Sequence, residues 1–409
     1  MKNRVLVTGI GALSCLGLNA SSQYQAAIHA KSGIAKIFPT SVASIQTRIA
    51  AAIPEGLPNL LDNSSLKMFD RVAHIAWYAV HEAIEQSGLR ALSEEDLYRS
   101  GIFWGTGFGG ATTIEATYDD LFLKKNGRAR PFTVIGVMSN GPIALLSMNT
   151  KFQGPCINYS TACASSAHAI GEAFKQIRDG YCDRAIAGGS ESMLQSGPIS
   201  GWESLRTLAR IDEDRPYASC KPFAKNRSGF VIGEGSAALI LESYDAARAR
   251  GANILAEIVG YGTTADADHI TKPNPVGQSR AMLNALSDAG LQPSEIAYIN
   301  AHGTATTVGD IVETESIKLA FKEHANSLLI SSTKAIHGHT FGAAGALELI
   351  ITIQAQMNGI APPTAFLDEK DPECDLNYIP NNAVEASMKY ALSNSFAFGG
   401  ANATVITKV

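Results

Sequence analysis

The sequence predicts an α/β protein built from two similar halves, each a mostly parallel sheet covered by helices. Three observations carry this prediction. β-branched runs alternate with segments of helical apolar spacing, glycines stop those segments, and the same succession of elements occurs twice, about 200 residues apart. A repeat of that length in two copies is too long for a solenoid and too short a series for an array. Two halves about a pseudo-two-fold axis are expected instead, the first spanning residues 1–250 and the second 251–409. Where strands follow one another without a helix, mixed-sheet edges are expected.

The first strand runs through Val5-Leu6-Val7 to Gly9 and Gly11; the interruption by Thr8 and the glycines separates it from a signal peptide. A short helix is predicted from an Asn19 cap to Ser32, then a proline-dotted loop over 37–62. From Asp70 to Gly88, Val72, Ile75, Ala76, Ala79, Val80 and Ala83 recur on one helical face. A strand from Ile102 ends at Gly105-Thr106-Gly107. Next come a strand from Cys156 to Ser160, the small residues Thr161 to Ser166, and a helix to Arg178 with Ala167, Ile170, Phe174 and Ile177 on one face. A buried strand resumes at Arg184. The second half repeats this: helix Ser279 to Gly290, strand Ile296 to Ala301, strand Leu328 to Ser332, helix Gly342 to Met357 and strand Ala391 to Ser395. In this alignment His339 falls at or near the place of Cys163.

A hydrophobic content of 45%, 17% charged residues and a net charge of -5 describe a soluble globular chain and argue against a nucleic-acid binder. No apolar run approaches the roughly 18 residues of a membrane span. The six cysteines form neither a C-x-x-C pair nor a His/Cys cluster at zinc spacing, so no disulfide framework and no metal are expected, and a cytoplasmic location is. Gly105-Thr106-Gly107-Phe108-Gly109-Gly110 fits the dinucleotide pattern literally. It does not open the first strand–helix unit and lacks the acidic residue about 20 positions on, so it reads as a close-packed turn.

Cys163 stands where strand meets helix. A helix N-terminus offers free N–H groups and the positive end of the macrodipole, which favour thiolate. In the other half stand His302 in Asn300-Ala301-His302-Gly303-Thr304-Ala305-Thr306, Lys334 and His339 in Ser332-Thr333-Lys334-Ala335-Ile336-His337-Gly338-His339, and the run Phe398-Gly399-Gly400. With these motifs in this order, from Val5 to Phe396, the chain resembles the β-ketoacyl-[acyl-carrier-protein] synthases of the thiolase-fold superfamily, most closely the elongating Cys-His-His type.

The resemblance implies a thiolase-like fold and decarboxylative Claisen condensation of an acyl chain with malonyl-[acyl-carrier protein], in fatty-acid or polyketide/polyene elongation. Cysteine suits the acyl acceptor because its thiolate is both nucleophile and leaving group. By the family pattern, neutral His302 and His339 meet the enolate oxygen, and the N–H groups of Cys163 and Phe398 meet the second oxyanion. Lys334 is expected to orient His339 and its surroundings, with Glu348 as its partner. His337 is assigned no chemistry and His168 is read as packing.

Thr304 and Thr306 are implied to hold a phosphopantetheine arm that arrives on the carrier, so no resident cofactor is expected. Phe396 precedes an alanine at Ala397 where the family has glycine, which lowers the freedom of the gating loop. Phe108 is expected to shorten the acyl pocket, and Phe132 to reach a partner subunit, identical or related. Lys67, Arg71, Lys124, Lys125, Arg128, Arg130, Arg206 and Arg210 form the expected docking patch for an acidic carrier. Two other classes share this fold. A non-catalytic chain-length-factor-like subunit would lack the cysteine, and a thiolase would carry a second cysteine near Phe398-Gly399-Gly400.

Overall fold

The computed structural model describes residues 2–37, 44–90, 92–124 and 127–409. The first half supplies strands Val5–Ser14 (β1), Ser100–Gly105 (β2), Cys156–Tyr159 (β3), Arg184–Glu191 (β4) and Gly235–Ser243 (β5). The second supplies Ala256–Ala265 (β6), Tyr298–Asn300 (β7), Leu329–Ser331 (β8), Tyr390–Phe396 (β9) and Ala401–Lys408 (β10). All ten lie in one sheet of order β8-β7-β9-β10-β6-β1-β5-β4-β2-β3. Outward from the central antiparallel β1–β6 pair, both sides have the same order and pairing sense: two antiparallel pairings, then two parallel ones.

The repeated sequence explains the repeated packing. Helix α1 (Arg71–Ser87) covers β1 and β5. Its axis can come close because β1 carries Gly9 and Gly11; a Cβ there would lie 2.2 Å from Ala83 O and 2.1 Å from Ala79 O. Helices α2 (Ser165–Arg178) and α3 (Pro275–Ala289) follow. α3 covers β6 and β10 through the matching pair Gly260 and Gly262, where a Cβ would lie 2.4 Å from Ala285 O and 2.0 Å from Ala281 O. Both α1 and α3 end on a left-handed glycine, Gly88 (φ 65°) and Gly290 (φ 67°). Asn274, accepting from Val276 N–H, and Pro275 start α3 four residues before its predicted first residue.

Helix α4 (Gly309–Phe321), which the sequence reading does not anticipate, lies beside α3. Helix α5 (Ala344–Asn358) packs on α2, and the two touch strands of both halves. α5 is buried almost all round, as its composition requires. On α2, Ala167, Ile170, Phe174 and Ile177 are all buried; the larger three are worth about 1.5–3 kcal/mol each. The helix predicted from Asn19 keeps its cap but ends at Ile28, since Ala30 turns left-handed (φ 50°). α2 and α5 start at the same level in their halves, and the turns preceding them carry the site.

Candidate active site

After β3 the backbone turns sharply. Ala162 is left-handed (φ 48°), residues Ala162–Ala164 form a 3-10 turn, and α2 begins at Ser165. A non-glycine residue there costs on the order of 1–3 kcal/mol, so the surroundings must enforce it. Ser165 does part of this, its hydroxyl donating to Ala162 O (2.6 Å) and accepting Thr161 N–H (2.9 Å). Cys163 lines a cavity at the helix start and is 8% exposed. Burial opposes the thiolate that the helix terminus favours, pushing the thiol up to about 12 against the pull of the Lys334 charge. The helix terminus favours negative charge on this sulfur as it develops during attack.

In the second half the same turn is formed by Phe341 (φ 45°) and Phe341–Ala343, so Gly342 is the counterpart of Cys163 and His339 lies three residues earlier. From there His339 Nε2 reaches Cys163 Sγ at 3.0 Å. Its Nδ1 accepts Phe341 N–H (3.2 Å), which leaves the proton on Nε2. His302 follows β7. Its backbone N–H and that of Gly303 donate to Glu313 on α4, at 2.8 and 2.7 Å. His302 Nδ1 is 3.4 Å from Lys334 Nζ, an ammonium that can only donate, so His302 also carries its proton on Nε2. The two rings cross at 82° with centroids 5.5 Å apart. Burial first and the Lys334 charge second hold both imidazoles well below 6.5, hence neutral.

The donor atoms of Cys163, His302 and His339 all lie within 4.8 Å of one another. Metal-bound histidines donate their far N–H outward. Here both far nitrogens accept, so the near ones present N–H groups, which suits a developing oxyanion rather than a cation. Lys334 and Glu348 form a fully buried ion pair, and burial raises Glu348 to about 7 although Lys334 opposes it. Of His339 and its surroundings, which Lys334 is expected to orient, it reaches the His302 ring and makes no hydrogen bond to His339. Lys334 begins a short helix after β8, the parallel neighbour of β7, so its ammonium meets the His302 ring; the Phe341 N–H orients His339.

A cavity of about 290 Å³ opens over Cys163 and both histidines, with Thr304, Thr306, Phe396 and Phe398 in its wall. The Thr304 and Thr306 hydroxyls are 3.0 Å apart. Three aromatic neighbours were not legible in the sequence: Phe341 stacks on His339 (4.4 Å), Trp202 stacks on Phe341 (5.0 Å), and Phe230 meets His339 edge-on (5.3 Å). Two buried carboxylates were also missed. Glu191 accepts the N–H groups of Gly107, Phe108 and Gly342, tying the nucleophile's surroundings to the other half, and Glu313 positions His302. A charge ending a buried strand was the available signal for Glu191. His337 lies outside the cavity lining, on Thr333 and near Glu348.

Other predicted residues are not brought to the cavity. Phe108 does not line this cavity: Glu191 holds the turn by its N–H groups, and the residue is 55% exposed in the single chain. Phe132 is 43% exposed. Arg71 does not offer a free charge for docking, because it forms a two-pronged pair with buried Glu234 (2.7 and 2.8 Å). Lys124 and Arg130 are shared with Asp120. Lys67, Arg128, Arg206 and Arg210 are exposed, with Arg206 at the cavity mouth; Lys125 lies outside the described residues.

Fold, nucleophile turn and paired N–H donors define a condensing enzyme of the thiolase-like class. The chain belongs to the beta-ketoacyl synthase family: residues 2–247 match the N-terminal domain of that family and 255–368 the C-terminal domain. It is 41% identical over 405 residues to nodulation protein E of Rhizobium sp. (strain N33), covering 99% of both chains. It is 39% identical over 408 residues to 3-oxoacyl-[acyl-carrier-protein] synthase 2 of Coxiella burnetii (strain RSA 493 / Nine Mile phase I), covering 99% of this chain and 98% of that one. Among solved structures, a type II polyketide ketosynthase in complex with its acyl-carrier protein (AntDE:AntF) superposes with a TM-score of 0.91 at 28% identity, covering 100% of both chains. The ishigamide ketosynthase/chain length factor gives 0.92 at 29% identity, again over 100% of both.

Proposed function

We propose that this acyltransferase accepts an acyl chain on Cys163 and condenses it with malonyl-[acyl-carrier protein], releasing CO2 and a β-ketoacyl-[acyl-carrier protein]. The observation that carries the assignment of roles is the gathering of His302 and His339 around Cys163, with Nδ1 of each ring facing a donor, Lys334 Nζ and Phe341 N–H. In acyl transfer the Cys163 sulfur attacks the thioester carbonyl and the carrier's thiol leaves with the Cys163 proton. The oxyanion is met by the N–H groups of Cys163 and Phe398. Malonyl thioester then loses CO2, and the enolate oxygen accepts from His302 and His339, whose neutral rings spare the step a proton transfer. The enolate carbon attacks the acyl-cysteine, the carbon–sulfur bond breaks, and the expelled Cys163 thiolate takes a proton from water.

The phosphopantetheine arm, held at Thr304 and Thr306, supplies both thioesters, so the scheme calls on no resident cofactor. A carrier protein docks beside Arg206 and Arg210, at the cavity mouth and the adjoining cleft. The chain pairs with a second copy or a related subunit across the edge strand β3, where Ile157 is 41% exposed and exposed Phe108 and Phe132 add apolar surface. A cytoplasmic location suits the six free cysteines. Intact-mass measurement after mixing with acyl-carrier thioesters tests the scheme. The wild type should gain one acyl mass and Cys163→Ala none; acyl transfer surviving in that variant sinks the nucleophile assignment.

A further inference from the structure

His168, read from the sequence as packing, is buried in the first turn of α2, five residues after Cys163, yet uses both ring nitrogens on polar partners. Its Nδ1 lies 3.0 Å from Ala164 O and 2.9 Å from Thr161 Oγ1, so it carries the proton and grips the turn on both sides of Cys163. Its Nε2 lies 2.9 Å from Thr263 Oγ1 on β6, in the other half. Thr263 pairs with Ala403 of β10. Three residues on, Asp266 N–H donates to Gly400 O (2.9 Å) and the Asp266 carboxylate accepts from Asn402 (2.7 Å). Those contacts anchor the hairpin that carries Phe398.

We propose that His168 is a positioning residue that sets the Cys163 turn in register with the Phe398 hairpin, so that the N–H groups from two halves of the protein converge on one oxyanion. The mechanism above uses those two donors together, and they come from segments that share no strand. The imidazole is the side chain that bonds to the strained Ala162–Ala164 turn and to the strand behind the hairpin at once. This inference rests on the assignment of Cys163 as acyl acceptor. It does not involve His302, His339 or Lys334, none of which His168 touches.

Half-reactions separate this role from a general contribution to folding. His168→Asn keeps an N–H at the Nδ1 position and loses the reach to Thr263; His168→Gln keeps the reach and loses the turn; Thr263→Val removes the far partner alone. Acylation of Cys163 by hexanoyl-[acyl carrier protein] is followed by intact mass, and malonyl-[acyl carrier protein] decarboxylation by CO2 release. Acylation should fall about 10- to 100-fold in His168→Gln and less in His168→Asn and Thr263→Val, with decarboxylation within about twofold of wild type. His168→Asn combined with Thr263→Val should be no worse than His168→Asn alone. Acylation within about twofold of wild type in all variants, or an equal fall in both half-reactions, overturns the proposal. A wild type that is never acylated overturns the Cys163 assignment itself.

Discussion

Two neutral imidazoles in a buried site beside an ammonium is the unusual feature at the scale of single residues. Because burial and Lys334 both disfavour the imidazolium, the Nδ1 atoms that accept and so orient the two Nε2–H donors stay unprotonated in mild acid. Malonyl decarboxylation by Cys163→Ala should therefore show no loss of rate centred near pH 6.5 between about pH 7.5 and about pH 6, when initial rates of CO2 release are measured. A fall of half its rate near pH 6.5 would mean that an ordinary imidazole is in play. Charges expected to act alike at the surface also divide. Arg71→Ala should lower stability by about 1–3 kcal/mol in urea unfolding, because Glu234 stays buried without its partner. Arg206→Ala should leave the urea midpoint unchanged and raise the KM for the carrier.

Elements are held at fixed distances by what their residues lack. The pairs Gly9/Gly11 and Gly260/Gly262 let one helix in each half lie against its strand. Gly262→Ala would set a Cβ 2.0 Å from Ala281 O and must push α3 away from β6. A loss of about 1–3 kcal/mol or more in chemical unfolding is expected. Either glycine pair could be read in the sequence as a G-x-G in a strand, but only the packing gives it a purpose. The nucleophile turn is similar: strand, small residues and helix were legible, whereas the left-handed Ala162, forced by Ser165 and its neighbours, was not. Local propensity disfavours that conformation, and tertiary contacts override it.

For the whole molecule, buried histidines couple folding to pH. His337 is fully buried and held at about 3 by desolvation first, against an ordinary value of 6.5. Its folded pKa is depressed, so the unfolded chain binds the proton first and stability drains away as pH falls below about 6.5. Between about pH 7 and pH 5 this one group accounts for about 2 kcal/mol. His337→Asn should lose about that much less than the wild type over the same range in urea unfolding. Equal losses in the two proteins would show that the imidazole is solvated. Buried Glu191 and Glu348, raised to about 7, pull in the opposite sense but are common to both proteins.

The duplicated α/β plan and the Cys163 turn were visible in local spacing and glycine stops, and both histidines and the Lys334–Glu348 pair in the motifs that carry the family resemblance. Contacts between distant segments were not. Lys334 facing His302, Glu191 gathering N–H groups from both halves, the aromatic wall of Trp202 and Phe230, the outward turn of Phe108 and the neutralised Arg71 all depend on them. A motif encodes which chemistry a side chain can do. Its neighbours in space set the proton's position and the exposure of the charge, and those neighbours come from the other half of the sheet.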